Sequence, residues 1–263
     1  MQLQSLGLSS DLSLLDADVI DRGAYLVVRS PKEPNFYWGN LVVFSKPPQG
    51  QVKDAWEAIF AREFADLADV KHQTFAWDVG GGDASLQRFL DDGYEEERTV
   101  VLTASEVCPP RHPNQDLEIR VLESDSEWNE VAESQFESRD PEHEEESYRV
   151  FLQGRLAALR ARVDAGQGDW YGAYLGGRQV GNLGVFRNGS SARFQVVVTR
   201  PEARRQGVCG TLVHYASERT LAQPGVERLI MVADTEYHAA RIYESVGFAA
   251  TETLVGLCRW PRS

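Results

Sequence analysis

Short runs of apolar residues, bounded by polar and turn-forming residues, predict four strands in the first part of the chain. They lie at residues 24–29, 39–45, 73–79 and 99–103. Apolar residues recur every three to four positions from residue 51 to about residue 69 and again, more briefly, from 84 to 92. Such spacing is typical of helices that bury one face. This part of the chain therefore predicts strands that alternate with helices.

A different order of elements begins at residue 117. A strand at 117–123, a helix from Ser124 or Asp125 and a longer helix at 144–164 come first. Three strands at 170–175, 180–186 and 194–199 follow, separated by Gly-Gly and Asn-Gly dipeptides that favour hairpins. A helix at 207–222, a strand at 228–233, a helix at 237–246 and a strand at 253–257 come last. This order predicts an α/β fold with a mixed, mostly antiparallel sheet flanked by helices.

Residues 108–115, Cys-Pro-Pro-Arg-His-Pro-Asn-Gln, are rich in proline and lack periodicity, so they predict a linker. At 263 residues the chain is long enough for two domains. We therefore divide it into an N-terminal domain at 1–110 and a C-terminal domain at 116–263.

Composition narrows the choice of partners. Hydrophobic residues make up 42% of the chain and charged residues 25%, as in ordinary globular proteins, and the formal net charge is −13. Such acidity disfavours nucleic acids and anionic membranes, and it suits a neutral or cationic amine. Cys108, Cys209 and Cys258 form neither a disulfide framework nor a metal motif. We therefore expect a protein that needs no metal. The N-terminus lacks a leader pattern, so we expect the protein to be cytoplasmic.

The segment from Thr199 to Leu212 carries the strongest chemical signal. A strand ends before Pro201, a basic loop follows, and a helix begins directly after the loop. Unpaired N–H groups at a helix start, with Arg204 and Arg205 beside them, suit a pyrophosphate. Gly207 and Gly210 would let its oxygens approach the backbone, although such glycines are equally typical of a tight turn.

A second segment, Ala239 to Phe248, predicts a short helix closed by Gly247. Together the two segments resemble the GNAT acyltransferases, whose coenzyme A loop reads Arg/Gln-x-x-Gly-x-Gly/Ala and whose later helix ends Tyr-x-x-x-Gly-Phe. Here the loop is Arg204-x-x-Gly207-x-Cys209, and Tyr243 to Phe248 match the helix end. The chain departs from the family at Cys209, and at Glu236, where many members have Asn.

The resemblance implies transfer of an acetyl group from acetyl-coenzyme A to a primary amine of a small molecule or peptide. It implies that Tyr243 protonates the leaving thiolate, although a tyrosine on this apolar stripe is also typical of simple packing. It implies that the backbone N–H of Val198 polarises the acetyl carbonyl. The cofactor-binding residues that it implies are Val196, Val198, Arg204, Arg205, Gln206, Gly207, Val208, Cys209, Gly210 and Thr211.

Several alternatives stay open at this stage. Glu118, Glu137 and His143 are general-base candidates by location only, and each is also typical of an ordinary surface residue. The Cys209 thiol, at a helix N-terminus beside arginines, would have a lowered pKa and could act as a nucleophile or a redox trigger, which is a second interpretation of this residue. A coenzyme A-binding regulatory or scaffold protein without turnover is the alternative function, and a homodimer is the assembly that we keep open beside the monomer.

A faint internal repeat links the two halves. Residues 74–78 and 86–94 parallel residues 230–234 and 240–248, which aligns Gly93 with Gly247 and Phe89 with Tyr243. Phenylalanine has no hydroxyl to donate, and the loop at residues 45–50 lacks the Arg-x-x-Gly-x-Gly form. The repeat predicts a tandem protein whose degenerate GNAT-like N-terminal half covers or extends the active half.

Overall fold

The computed structural model describes residues 1–78, 85–139, 144–235 and 239–260. Its helices are α1 (Leu6–Ser9), α2 (Leu12–Asp16), α3 (Lys53–Glu63), α4 (Gln87–Asp91), α5 (Asp125–Glu137), α6 (Glu145–Asp164), α7 (Val208–Leu221) and α8 (Ala239–Glu244). Its strands are β1 (Asp18–Asp21), β2 (Tyr25–Arg29), β3 (Leu41–Phe44), β4 (Gln73–Trp77), β5 (Glu95–Ala104), β6 (Glu118–Val121), β7 (Gly168–Leu175), β8 (Arg178–Asn188), β9 (Ser191–Thr199), β10 (Arg228–Asp234) and β11 (Ala249–Arg259).

The chain forms two compact units. The first unit is Met1–Val101 with the chain from Thr251 onward, and the second unit is Leu102–Ala250. The division therefore falls within β5 and within β11. The predicted domain at 116–263 included the last strand, whereas this grouping places residues 251–260 with the N-terminal part of the chain.

Every predicted strand and helix has a counterpart, and the limits differ for local reasons. The helix expected to reach residue 69 ends at Glu63, where Phe64 caps it. The elements α1, α2 and β1 were not predicted, because four or five residues are too few to show a period. Val79, Ala84 and Tyr237, which lie in predicted elements, fall outside the described residues.

In the first unit the strand order is β1-β2-β3-β4-β11-β5. The pairs β1–β2, β2–β3 and β4–β11 are antiparallel, and β3–β4 is parallel. Successive residues of these strands belong to two different hydrophobic clusters, because their side chains alternate between the two faces of the sheet. Val27, Val42 and Phe75 belong to the cluster that also contains Trp56 of α3, whereas Val28 and Val43 belong to the other cluster.

In the second unit the strand order is β10-β9-β8-β7-β6. The pairs β6–β7, β7–β8 and β8–β9 are antiparallel, and β9–β10 is parallel. Helix α7 packs on β7, β8 and β9, and α5 packs on β8 and β9. The predicted mixed, mostly antiparallel sheet with flanking helices is therefore confirmed.

Local signals fix the helix starts. Ser124 and Glu127 form a complete capping box at α5, and the side chain of Glu144 caps α6. Helix α7 extends from the N-cap Gly207 to the C-cap Ala222, which are the limits that its apolar stripe predicted. None of the helices among the described residues has the length and apolar character needed to cross a membrane.

Candidate active site

Strand β9 carries a bulge in its second half. Asn182 pairs with Val198 and Gly184 pairs with Gln195, so two residues of β9 stand opposite the single residue between them in β8. Val196, at the bulge, has a φ of 45°. A β-branched residue rarely adopts such a value, and strain of this kind often marks a functional site.

The same strand separates from its parallel neighbour. Pairing between β9 and β10 extends only from Ser191–Arg228 to Arg193–Ile230. Both strands are described to their ends, at Thr199 and Asp234, and the part of β9 after Arg193 does not pair with β10. This part of β9 therefore presents backbone N–H and C=O groups on its side toward β10, where a ligand with amide groups can bind them.

The loop after β9 leads into α7 through two left-handed residues. Arg205 has a φ of 62° and Gly207 a φ of 77°. Gly207 is the N-cap of α7, and no side chain caps the helix there. The first N–H groups of α7 and the positive end of its dipole thus lack the usual side-chain acceptor, which is a favourable arrangement for an anion.

Side chains around this loop differ in what they can offer a ligand. Arg204 and Arg205 are both exposed. The Nε of Arg204 donates to the Thr199 carbonyl at 3.3 Å, whereas Arg205 has no ion-pair partner among the described residues. The amide of Gln206 donates to the Glu202 carbonyl at 2.8 Å and therefore braces the loop. Val208 is buried, so only its backbone is available to a ligand.

The predicted linker packs on the two glycines of the loop. A Cβ built on Gly207 would lie 2.4 Å from the His112 carbonyl oxygen, and one built on Gly210 would lie 3.1 Å from the Cβ of Pro110. The backbone of His112 and Asn114 thus occupies the space beside Gly207, and the Pro110 ring occupies the space beside Gly210, where we had expected ligand oxygens. The glycines are needed for this close approach and, at Gly207, for the positive φ.

Cys209 does not have the environment of a reactive thiol. The residue is half-buried, and burial of its thiol raises the pKa to about 12, with only slight opposition from a contact with the Thr199 side chain. The hypothesis that the helix start lowers this pKa is therefore wrong. Burial likewise raises the pKa of Cys258 to about 12.

Tyr243 lies on α8, which packs against β10 and α7. Its side chain is buried, with 5% of the residue exposed. The ring of Phe248, just after α8, lies 6.5 Å from that of Tyr243 and 5.8 Å from that of Phe194. Phe194 directly follows the last residue of β9 that pairs with β10, so these aromatic contacts bring the end of α8 to the place where the two strands separate.

Two general-base candidates are engaged in ion pairs. The carboxylate of Glu137 accepts from Arg200, and that of Glu118 lies 3.2 Å from the Nε of Arg120. Both carboxylates are thus engaged with arginines, and no contact among the described residues marks either one as a base. His143, the third candidate, lies outside the described residues.

Sequence reasoning missed a buried polar network that holds the bulge. Arg200 is 5% exposed, and its Nε donates to the Gln179 carbonyl at 2.9 Å. The amide of Asn182, opposite Val198, donates to the Ser134 hydroxyl at 2.8 Å and accepts from the Trp170 indole at 3.3 Å. An asparagine in an apolar strand was the available signal, because a buried amide needs partners.

The fold and the loop define an α/β domain with an uncapped helix start next to two exposed arginines. Residues 139–255 match the sequence family described as the acetyltransferase (GNAT) domain, and this part of the chain therefore carries a GNAT domain. No curated protein matches the sequence. Among the described residues no group of three or more histidines, cysteines or carboxylates is arranged to hold a metal ion.

Solved structures share the fold over most of the chain. A conserved protein of unknown function from Staphylococcus epidermidis is 14% identical with a TM-score of 0.76, covering 94% of this chain and 95% of that one. A GCN5-related N-acetyltransferase from Kribbella flavida is 16% identical with a TM-score of 0.67, covering 99% and 97%. A tandem GNAT protein from the clavulanic acid biosynthesis pathway is 14% identical with a TM-score of 0.55, covering 85% and 76%.

Proposed function

We propose that this protein is an N-acyltransferase that moves an acetyl group from acetyl-coenzyme A to a primary amine. The main observation behind the proposal is that strand β9, whose second half has an unpaired edge, runs directly into the loop at the start of α7. Strand β9 is bulged at Val196, leaves β10 after Arg193, and leads into the uncapped start of α7 beside Arg204 and Arg205. An extended arm with amide groups suits the first part of this path, and a pyrophosphate suits the last part.

The residues fit the cofactor in three respects. The unpaired edge of β9, with Val196 and Val198, would hold the pantetheine arm through backbone hydrogen bonds. The N–H groups of the first turn of α7, at Val208, Cys209 and Gly210, would hold the pyrophosphate, with Arg204 and Arg205 supplying positive charge. Acetyl-coenzyme A supplies the thioester whose C–S bond breaks as the amine nitrogen forms a new C–N bond.

Two proton movements accompany this exchange. The amine must lose a proton before its nitrogen can attack, and the departing sulfur must gain one. We assign the second step to the Tyr243 hydroxyl and the polarisation of the acetyl carbonyl to the Val198 N–H. The acceptor is the primary amine of a small molecule or peptide, and the net charge of −13 favours a cationic one.

Calorimetry with acetyl-coenzyme A tests the cofactor site. We expect micromolar binding by the wild type and a loss of at least about 30-fold in Arg205→Glu, because a carboxylate would replace a cation beside the phosphates. Arg205 is exposed and has no ion-pair partner among the described residues, so the variant should fold. A Gly207 substitution cannot serve, since its Cβ would collide with the His112 carbonyl.

Lys46→Glu is the matched control. Lys46 is also exposed, and it lies in the loop before α3, which corresponds in the first unit to the loop before α7. The charge change is the same, so equal losses in both variants would indicate a general electrostatic effect and contradict the proposed site. No binding by the wild type would overturn the proposed function.

A regulatory or scaffold protein that binds coenzyme A without turnover is the second candidate. The half-buried Cys209, at the loop's third small position, favours it, because a thiol is bulkier than the hydrogen of glycine. This candidate predicts binding of acetyl-coenzyme A with no release of free coenzyme A thiol in the presence of any primary amine. Thiol release with a panel of primary amines distinguishes the two candidates.

A further inference from the structure

Residues 108–114, which we call the strap, cross the start of α7 within the second unit. The strap begins where the backbone N–H of Cys108 donates to the Val246 carbonyl at 3.1 Å. Pro110 then packs beside Gly210, and the His112 carbonyl lies beside Gly207. The strap therefore touches Gly207, the last residue of the loop between β9 and α7, and Gly210 in the first turn of α7.

Asn114 ends the strap with two hydrogen bonds to the loop and helix. Its side-chain amide donates to the Gln206 carbonyl at 2.9 Å, and its backbone N–H donates to the Thr211 hydroxyl at 2.9 Å. That hydroxyl in turn donates to the Gly207 carbonyl at 2.8 Å. The Gly207 carbonyl also accepts from the Thr211 backbone N–H at 3.1 Å, as the first carbonyl of α7, whereas the Gln206 carbonyl is held by the Asn114 side chain.

Holding these carbonyls also sets the direction of the adjacent N–H groups. A peptide group is planar and trans, so its C=O and N–H point in opposite directions. The Gln206 carbonyl shares a peptide with the Gly207 N–H, and the Gly207 carbonyl shares one with the Val208 N–H. Because Asn114 and Thr211 hold the carbonyls on the side of the strap and helix, both N–H groups are directed away from the strap, toward the uncapped opening of the loop.

Left-handed residues make this restraint important. Arg205 and Gly207 both have positive φ and flank Gln206, and glycine readily adopts other conformations. Without a partner for the Gln206 carbonyl, the peptide between Gln206 and Gly207 can rotate and withdraw its N–H from the opening. Local sequence supplies no other side-chain cap at this helix start.

We propose that Asn114 is a positioning residue for cofactor binding: its side chain fixes the peptide between Gln206 and Gly207 so that the Gly207 N–H faces the pyrophosphate, beside the Val208 N–H that α7 itself holds. This proposal rests on the proposed function. It makes the strap, which the sequence predicted to be only a linker, a part of the cofactor site. Asn114 itself touches no reacting atom.

Binding of two ligands to Asn114→Ala tests the proposal. Acetyl-coenzyme A carries the pyrophosphate, and acetyl-pantetheine carries the same thioester arm without it. We expect the variant to lose about tenfold in affinity for acetyl-coenzyme A, the cost of one oriented hydrogen bond, and less than twofold for acetyl-pantetheine. The matched control is His112→Ala, since only the backbone carbonyl of His112 contacts Gly207.

Thermal unfolding of the ligand-free proteins distinguishes positioning from stability. A lower Tm with unchanged affinity for acetyl-coenzyme A, or equal losses for both ligands, would show a merely structural role and overturn the inference. Unchanged affinity in Asn114→Ala while the wild type binds would refute the inference alone. Failure of the wild type to bind acetyl-coenzyme A would instead refute the proposed function, and the inference with it.

Discussion

The two units of this protein use the same strand–helix–strand order around a parallel strand pair, yet the pairs differ at their ends. In the first unit β3 and β4 pair from Val42–Phe75 to Phe44–Trp77, and the Asp78 N–H donates to the Phe44 carbonyl beyond that point. In the second unit β9 and β10 pair over their first three residues only. The fold tolerates both arrangements, but only the separated pair leaves a backbone edge for a ligand.

The helix starts that follow these strands differ in how their charges are paired. At the start of α3, Lys53 forms ion pairs with Glu57 and Asp92, and Asp54 lies in the first turn. At the start of α7, Arg204 and Arg205 are exposed, and no acidic residue lies in the first turn. The carboxylates at α3 are therefore already paired with cations of the same unit, whereas the exposed arginines at α7 attract an anion.

The turns that follow α4 in the first unit and α8 in the second unit are alike in hydrogen bonding. Tyr94 N–H donates to the Phe89 carbonyl at 3.0 Å, and Phe248 N–H donates to the Tyr243 carbonyl at 3.2 Å. Gly93 and Gly247 have φ values of 81° and 105° at equivalent places. Both turns thus keep the glycine and the hydrogen bond that close them. At the compared position, however, the first unit has Phe89, and only Tyr243 of the second unit has the hydroxyl that the proposed chemistry needs.

Tyr243→Phe should have the largest effect of the changes predicted here, because it removes the hydroxyl and leaves α8 with the residue type that α4 has at Phe89. We expect acetyl transfer to fall about 100-fold, as is typical when a general acid is lost. Affinity for acetyl-coenzyme A should stay within twofold of the wild type. Release of coenzyme A thiol under saturating amine and calorimetry measure the two quantities.

Phe89→Tyr provides the reciprocal control in the first unit. Phe89 is 1% exposed, so the added hydroxyl costs stability but should leave acetyl transfer unchanged per folded molecule. A Tyr243→Phe protein with full activity would show that Tyr243 is only a packing residue.

A second difference between the units should appear on mild acidification. His72 of the first unit is buried, and burial lowers its pKa to about 4 against the opposing effect of the Asn40 and Tyr37 carbonyls. Above pH 6.5 His72 is neutral in both the folded and the unfolded protein. Between pH 6.5 and pH 4 His72 binds a proton in the unfolded chain but stays neutral in the folded unit. Stability is therefore lost as the pH falls from 6.5 toward 4, by about 2 kcal/mol at pH 5.

Hydrogen exchange of the full chain at pH 7 and pH 5, read on peptides from each unit, measures this loss. Glu127 of the second unit offers a contrast: hydrogen bonds from the Glu123 and Ser124 N–H groups overcome the effect of burial and hold its pKa at about 2. Its contribution is lost only below about pH 4.5. In His72→Gln, which keeps a donor for the Asn40 carbonyl, the extra acid sensitivity of the first unit should vanish; its persistence would assign the effect to other groups.

Local sequence predicted the elements that local forces determine. The apolar stripe and Gly207 gave the limits of α7, and Gly247 gave the turn after α8, because such signals act within a few residues. The bulge at Val196 left no such trace, since three consecutive valines predict an uninterrupted strand. Its cause lies in the pairing with β8 and in the buried Asn182, which are distant in sequence.

The same distinction explains what was missed at the candidate site. Asn114 meets Thr211 across 97 residues, and Arg200 meets Glu137 across 63. No periodicity or turn signal links residues so far apart, and Asn114 therefore looked like part of a featureless linker. The proline-rich composition correctly indicated an irregular backbone, but irregular backbone can still pack closely against a helix.

The smallest expected effect compares the two glycines of the repeated turn. A Cβ built on Gly93 meets nothing within 4 Å, whereas one on Gly247 lies 3.2 Å from the Glu106 carbonyl oxygen. Gly93→Ala should thus cost only the strain of a positive φ, about 1 kcal/mol, and Gly247→Ala about 1 kcal/mol more, because the neighbouring backbone must move. Hydrogen exchange in urea, read separately on each unit, measures both losses. Equal losses of stability in the two variants would mean that the Glu106 backbone can move aside at little cost. The two turns would then differ only in the tyrosine or phenylalanine that precedes them.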